Sequence, residues 1–389
     1  MSMEAILVFP LTGVEEAFPL PKPALLGKLP PWEYDPVEDL IKTFIVLFNE
    51  YNLVVTDSPL QTLLHVREGR QAPTPDTVAA IAAQCSNWMA QHVLLRDVAR
   101  KTPSGTLLDL VADQCYIRVE QQLNLFSSRR ASLRSPRGLP ELTYGELNSM
   151  LVRELILDKY CNEGSFFVDF GSGIGNVVLL AAMKCARAVG VECQPHLHQF
   201  AVAYKKAMAE KLAAVGFYEY SKKVSWDTQL ILGDFLSDAV PLELLRNADL
   251  VLVNNLTFPP TLNHNLVLRF LDLKAGAYVI SLVPLLRTRV NFGTTGTTSS
   301  VTLSSSAEET CPRTGTRSKF KSTIKAQGPA TSRRANHNPS LAPTFSGNDI
   351  AAAIFEPHVE RIPYGAGMVS WAAAAGTLFV HRVKVKPLY

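Results

Sequence analysis

The nine residues Val168-Asp169-Phe170-Gly171-Ser172-Gly173-Ile174-Gly175-Asn176 constrain this chain more than any other stretch. An apolar run of strand length ends on three glycines at alternate positions, and an Ala- and Leu-rich helical pattern follows. Glycines so placed suit a turn that takes φ > 0 and brings backbone close to a ligand. The spacing is not the dinucleotide fingerprint GxGxxG, because Asn176 stands where the last glycine would fall. An acidic residue closing the strand, here Asp169, is the pattern of S-adenosylmethionine sites, whose ligand has no pyrophosphate. The alternative is a tight glycine turn with no ligand.

Helix and strand alternate around this turn. A helix is expected from Glu146 to Tyr160, an Ala-rich helix near 176–187, a strand ending Val189-Gly190-Val191-Glu192, and a long helix from about 195. Strands at 229–232, 249–253 and 277–282 flank a helix near 260–272. Two closing strands are expected around Met368–Trp371 and Thr377–Val385. Such alternation means βαβ units and a mostly parallel sheet. Residues 141–389 therefore form an α/β domain, and residues 1–140 a helical N-terminal lobe. In the lobe, residues 1–30 are Pro- and Leu-rich and read as an irregular lead-in. Asp35-Pro36, Thr74-Pro75 and Gly105 then open three helices. The lobe ends in the basic segment Arg129–Arg137.

Residues 294–346 interrupt the α/β domain. About 20 of these 53 residues are Ser or Thr, with seven Lys and Arg against two Glu, so a disordered basic insertion is expected.

Of the 389 residues 47% are hydrophobic, enough to bury a core, which excludes a wholly disordered chain. Net charge is only +3, so a polyanion partner would have to be held locally, by Arg129–Arg137 or the insertion. No apolar stretch reaches the roughly 18 residues of a membrane span, and Met1-Ser2-Met3-Glu4 lacks the basic start of a secretory leader. A soluble protein without membrane partners is expected. The six cysteines form no CxxC pair and the eight histidines no ligand spacing, so a reducing compartment and no metal are expected.

Three further features lie on successive strand ends. Glu192, about 20 residues beyond the glycine turn, is placed to accept two ribose hydroxyls. Asp234 beside Phe235 suits an adenine, the carboxylate taking its amine and the ring packing on its face. Asn254-Asn255 ends a central strand, where ligands bind in open α/β sheets.

Taken in order, Leu142-Thr143-Tyr144-Gly145-Glu146-Leu147, the glycine turn, Gly190-Val191-Glu192, Gly233-Asp234-Phe235-Leu236-Ser237, Val253-Asn254-Asn255 with Phe258, and Val369-Ser370-Trp371 form a pattern. It resembles the disruptor-of-telomeric-silencing family, the non-SET methyltransferases of the histone H3 core lysine usually numbered seventy-nine. The resemblance covers about 140–292 and 347–385, more loosely the lobe before. It implies a seven-stranded class I methyltransferase (Rossmann-like) sheet with an N-terminal helical lobe, S-adenosylmethionine as cofactor, and a nuclear monomer acting on nucleosomes. By position, Tyr144 and Glu146 match a loop closing over the cofactor. Asp169, Gly171, Gly173 and Asn176 match its amino-acid and sulfonium end, Glu192 the ribose, and Asp234 with Phe235 the adenine. Asn254 matches the polar residue beside the transferable methyl, and Phe258 and Trp371 match walls of the lysine channel, Phe258 also bordering the cofactor. Asn254, Tyr144 and Trp371 are thus the residues expected at the reaction itself.

The chain departs from the family pattern at Leu378 and Phe379, where a tyrosine pair is usual, and at Leu256, where Phe is usual. A methyltransferase for another protein or a nucleic acid is the second reading, although an Asn/Asp-Pro-Pro-aromatic motif is lacking. A chromatin-binding relative without turnover is the third, favoured by Leu378.

Overall fold

The computed structural model describes residues 3–20, 34–68, 74–94, 98, 101–123, 146–238, 240–286, 347–369 and 375–384. Tyr144, Trp371, Arg129–Arg137 and the 294–346 insertion lie outside the described residues.

The chain opens on a hairpin, β1 (Glu4–Val8) antiparallel to β2 (Glu15–Pro19), rather than the expected irregular lead-in. Its prolines bracket the strands and mask a short alternation that buries Ala5, Leu7, Phe9 and Phe18. What holds it is remote in sequence. Ser86 Oγ accepts the Val8 amide at 3.1 Å, and Glu16 takes both Arg118, at 2.8 Å, and the buried ammonium of Lys211.

Helices α1 (Pro36–Glu50), α2 (Pro59–Arg67), α3 (Pro75–His92) and α4 (Gly105–Leu123) follow. The Asp35 carboxylate accepts the amides of Val37 and Glu38 at 2.9 and 3.2 Å, and Pro36 fills the first turn. Thr74 caps α3 in the same way through Thr77. The apolar stripe Leu40, Phe44, Leu47 and Phe48 joins a core that also contains Ile174, Phe200 and Tyr204, so lobe and α/β domain share one apolar cluster.

Helix α5 begins as a π-helical turn, Leu151–Leu157, and ends with Asp158–Tyr160. Then come β3 (Phe166–Phe170), α6 (Asn176–Ala182), β4 (Arg187–Glu192), α7 (Pro195–Ala214), α8 (Tyr218–Trp226) and β5 (Thr228–Leu232). The chain continues through α9 (Leu242–Asn247), β6 (Leu250–Val253), α10 (Pro260–Arg269), β7 (Tyr278–Ser281), α11 (Gly347–Ile354), β8 (Glu360–Tyr364) and β9 (Gly376–Arg382).

The sheet order is β5-β4-β3-β6-β7-β9-β8, parallel except that β9 runs against both its neighbours. Strand periodicity sends Phe166, Val168 and Phe170 into one apolar cluster and Phe167 into the other. Both faces are covered, which is why the strands read as continuous apolar runs. From β3 the chain winds outward to β5, then returns to lay β6 on the other side of β3. The carboxyl ends of β3 and β6 therefore border the topological switch point, where open α/β sheets bind ligands.

The strand paired with β9 is Glu360–Tyr364, which the sequence did not suggest, while of the strand expected at Met368–Trp371 only Met368 and Val369 lie among the described residues. Pro363 disguises Glu360–Tyr364 in the sequence and is tolerated because β8 is an edge strand. Val369 only bridges to Leu147.

One buried histidine makes stability pH-dependent. His381 on β9 accepts the Leu285 amide through Nε2 at 3.2 Å, packs on Phe355, and is wholly buried. Burial lowers its pKa from the usual 6.5 to about 4. The unfolded chain binds this proton below about pH 6.5 and the folded one only near pH 4, so stability is lost as pH falls through that window. The loss should be on the order of 3 kcal/mol at pH 4. Urea melts of parent and His381→Gln at pH 7, 5.5 and 4.5 check this: relative to its own pH 7 value, the variant should lose less stability, or gain more, than the parent as pH falls, and equal pH dependences refute the assignment.

Candidate active site

Strand β3 ends in the buried carboxyl of Asp169, and the chain turns through Gly171, Gly173 and Gly175 at φ of +82°, +54° and +84°. All three take the left-handed conformation that costs other residues roughly 1–2 kcal/mol. The turn hangs on β4: the amides of Gly171 and Ser172 both donate to Val191 O, at 2.9 and 3.0 Å. Gly190 permits the close approach, because a Cβ there would lie 2.7 Å from Ser172 Oγ and 2.8 Å from Val178 Cγ2. At Gly171 a Cβ would meet nothing within 4 Å, since it would project into the adjoining cavity.

Glu192, at the end of β4, is also buried. Its Oε2 accepts the Gly173 amide at 2.9 Å and its Oε1 the Gln194 amide at 2.8 Å, tying the glycine turn to the start of α7. Two carboxyls thus face one dry corner. Burial, with Glu192 adding repulsion, pushes the pKa of Asp169 up to about 8. Partial desolvation, with Glu192 adding repulsion, likewise raises the thiol of the solvent-exposed Cys193 to about 11.

Beyond β5, Gly233 N donates to Glu192 O at 2.9 Å, and the exposed Asp234 closes an Asx turn onto Leu236 N at 2.8 Å. Phe235 stacks on Phe170, centroids 5.1 Å apart, and on Phe258 at 6.0 Å. The three rings make one aromatic wall beside these strand ends.

The two asparagines after β6 divide their labour. Asn255, 1% exposed, is a brace: its Nδ2 donates to Asn263 Oδ1 and Val283 O, and its Oδ1 accepts the amides of Leu282 and Val283. Asn254 is partly exposed and lines a small cavity of about 30 Å³ with Glu146, Asp169, Gly171 and Asn176. Asp169, Gly171, Asn176, Asn254 and Glu146 are therefore brought together. Gly173 lies on the same turn and Glu192 is bonded to it from the end of β4, with Asp234, Phe235 and Phe258 beyond the neighbouring strand ends.

Residues that the sequence did not single out also contribute. Leu147 pairs with Val369, and Asn148 N donates to Met368 O at 2.9 Å, which brings the segment after Tyr144 to the one before Trp371. A larger cleft of about 360 Å³ adjoins the small cavity through Glu146, Leu147 and Asn176, with Asp109 and Asp113 of α4 on its far wall. No local signal marks those two aspartates, which are surface-type helix positions until the fold closes. Of the departures, Leu378 is fully buried in the apolar cluster with Ile362 and Val380, and Phe379 has the Arg361 guanidinium 5.9 Å from its ring centre. Among the described residues no helix is long and apolar enough to cross a membrane.

A seven-stranded sheet in this order, with a glycine turn after its inner strand β3, has the fold of class I methyltransferases. Residues 126–316 match the family model described as "Histone methylation protein DOT1". The chain is thus similar to the DOT1 family over just under half of its length. Three relatives carry the name "Histone-lysine N-methyltransferase, H3 lysine-79 specific". The one from Aspergillus fumigatus is 31% identical over 45% of this chain and 33% of its own length. The one from Cryptococcus neoformans is 34% identical over 46% and 28%, and that from Gibberella zeae 29% identical over 72% and 43%. The matched parts thus span less than half of each relative. Among solved structures, an RNA methyltransferase from Salinibacter ruber in complex with S-adenosyl-L-homocysteine is 24% identical over 35% of this chain and 76% of that one, with a TM-score of 0.25. The fold class rests on the strand order and not on that likeness.

Proposed function

We propose that this chain is an S-adenosylmethionine-dependent histone-lysine N-methyltransferase acting on histone H3, at lysine 79, in nucleosomes. The observation that carries the proposal is the pair of buried carboxyls, Asp169 and Glu192, on adjacent strand ends around a turn whose Gly171 leaves open the volume a Cβ would take. This cradle fits the cofactor's donor set, an ammonium, a ribose diol and an adenine. Asp169 would hold the ammonium, Glu192 the ribose hydroxyls, and Asp234 with Phe235 the adenine, while Tyr144 and Glu146 close over it. When bound, S-adenosylmethionine supplies a methyl group on a sulfonium. Asn254 then positions the reacting amine, and the aromatic surfaces of Phe258 and Trp371 exclude water. Exclusion of water disfavours the charged ammonium of the substrate lysine and keeps its nitrogen nucleophilic. The names of the relatives support the histone substrate and, with it, a nuclear, chromatin-regulating role. Binding of nucleosomal DNA through Arg129–Arg137 and the 294–346 insertion, and action as a monomer, belong to the same proposal.

Incubation with methyl-labelled cofactor and nucleosomes, free histones or RNA tests it. Label should enter histone H3 in nucleosomes; label in RNA, or cofactor binding with no transfer to any of them, overturns it. Asn254→Ala should lower turnover by about tenfold while leaving cofactor affinity nearly intact, because a misplaced reactant costs rate rather than binding. Equal losses in kcat and in cofactor affinity would make Asn254 a simple binding residue.

A further inference from the structure

We propose that the outer face of α8 and the adjoining edge of β5 form a docking surface for single-stranded RNA, separate from the candidate active site. Tyr218, Lys222 and Trp226 recur every fourth residue along α8, and all three are exposed. Trp226 is 77% exposed, more than any other large apolar side chain among the described residues, and Tyr218 is 44% exposed. Strand β5, the outermost of the sheet on this side, starts two residues later.

Two cations reach the start of β5 and a third lies on α8 itself. Arg187 Nη2 donates to Gln229 Oε1 at 2.7 Å, Lys205 Nζ to Thr228 O at 2.6 Å, and Lys223 Nζ to Met183 O at 3.5 Å. Their hydrogen-bond partners are neutral oxygens, Arg187 also lying 4.7 Å over the Phe166 ring, and among the described residues none of the three has a carboxylate within ion-pair distance. With Lys222 they make four cations against Glu219 and Asp227, a local surplus of two charges in a chain whose total is +3.

Aromatic faces interleaved with ammonium and guanidinium groups suit a strand whose bases stack on the rings while its phosphates meet the cations. A duplex keeps its base faces stacked inside and offers none to Tyr218 or Trp226. An apolar protein partner would leave the cations without a complement. Glu219, whose Oε1 takes Lys222 at 2.8 Å, keeps a second oxygen able to accept a ribose 2′-hydroxyl, which favours RNA over DNA. Arg187 and Thr228 begin their strands, whereas the candidate active site lies at the strands' carboxyl ends, so RNA and cofactor would not compete.

The test is anisotropy of a labelled short oligouridine titrated with the full chain and with Trp226→Ala, Trp226→Phe and the double variant Arg187→Glu/Lys223→Glu. Trp226→Ala should weaken binding by about tenfold or more, and Trp226→Phe should restore most of the loss. The double charge reversal should flatten the salt dependence by about 0.7 for each phosphate no longer neutralised. Duplex DNA binding should not respond to Trp226→Ala. Affinity for S-adenosylhomocysteine and the thermal midpoint should stay at parental values in all variants, which separates loss of the surface from loss of the fold. Absence of RNA binding by the parent, parental RNA affinity in Trp226→Ala, equal losses on RNA and duplex DNA, or saturation of the surface by a histone peptide that excludes RNA would each overturn the proposal.

Discussion

Replacing Glu192 by alanine should weaken binding of S-adenosylhomocysteine by about ten- to a hundred-fold, the range set by losing hydrogen bonds to a charged acceptor. The carboxylate is buried at the junction of β4 and the glycine turn, where water cannot substitute for it. It serves two purposes, since its oxygens already accept the amides of Gly173 and Gln194. Each oxygen has a second lone pair, so the ribose hydroxyls can be accepted without releasing the turn. The alanine variant should therefore lose stability as well, by about 1–3 kcal/mol for buried amides left unpaired. Glu192→Gln retains one acceptor oxygen and should fall between parent and alanine in both measurements. Calorimetric titration, read beside a thermal melt, separates the two effects. Parental affinity in a folded Glu192→Ala would remove this residue from the pocket.

The affinity for S-adenosylmethionine should rise by about tenfold per pH unit between pH 6 and 7.5, and Asp169→Asn should abolish that rise. In the free protein, burial and the nearby Glu192 hold the pKa of Asp169 at about 8, so the group is mostly protonated at neutral pH. Binding of a cationic ligand requires the carboxylate, and the bound cation favours it; each unit of pH below 8 then costs about tenfold in affinity. Stability of the free protein has the opposite sign. A folded-state pKa raised above the unfolded value near 3.9 gives stability that is complete below about pH 4 and lost as pH rises through 8. Between about pH 6.5 and 7.5, above the window of His381, binding isotherms and ligand-free melts should thus slope in opposite directions, and Asp169→Asn should remove the contribution of this carboxyl from both. A pH-independent affinity for the parent would mean that Asp169 stays protonated in the complex or lies outside it.

These experiments rest on residues visible in the sequence, and the physical reason is that their geometry is local. Three glycines at alternate positions after an apolar run specify a left-handed turn between strand and helix, because no other residue takes those φ values cheaply. Asp35-Pro36 and Thr74-Pro75 open helices because cap and first-turn chemistry involve neighbours only. Parallel strands covered on both faces read as unbroken apolar runs, so β3, β4, β6 and β7 and the polar residues ending them could be placed in order.

What only the tertiary structure decided depends on partners distant in sequence. The hairpin Glu4–Pro19 is held by Ser86, Arg118 and Lys211, none of which is near it in the chain. Strand β8 contains a proline and exists because the edge of the sheet can accept one. Adjacent asparagines look alike in sequence, yet Asn255 turns inward to four protein groups and Asn254 outward to a cavity. Strand direction alternates side chains but does not say which side is solvent; the packing of Asn263 and the Leu282–Val283 backbone does. Asp109 and Asp113 border the cleft beside the site only because α4 is folded against α7 and the segment that follows Tyr144. Backbone conformation and capping are short-range and were written in the residue order, whereas burial, register and the company each carboxyl keeps are long-range and arise only when the sheet and the lobe close on one core.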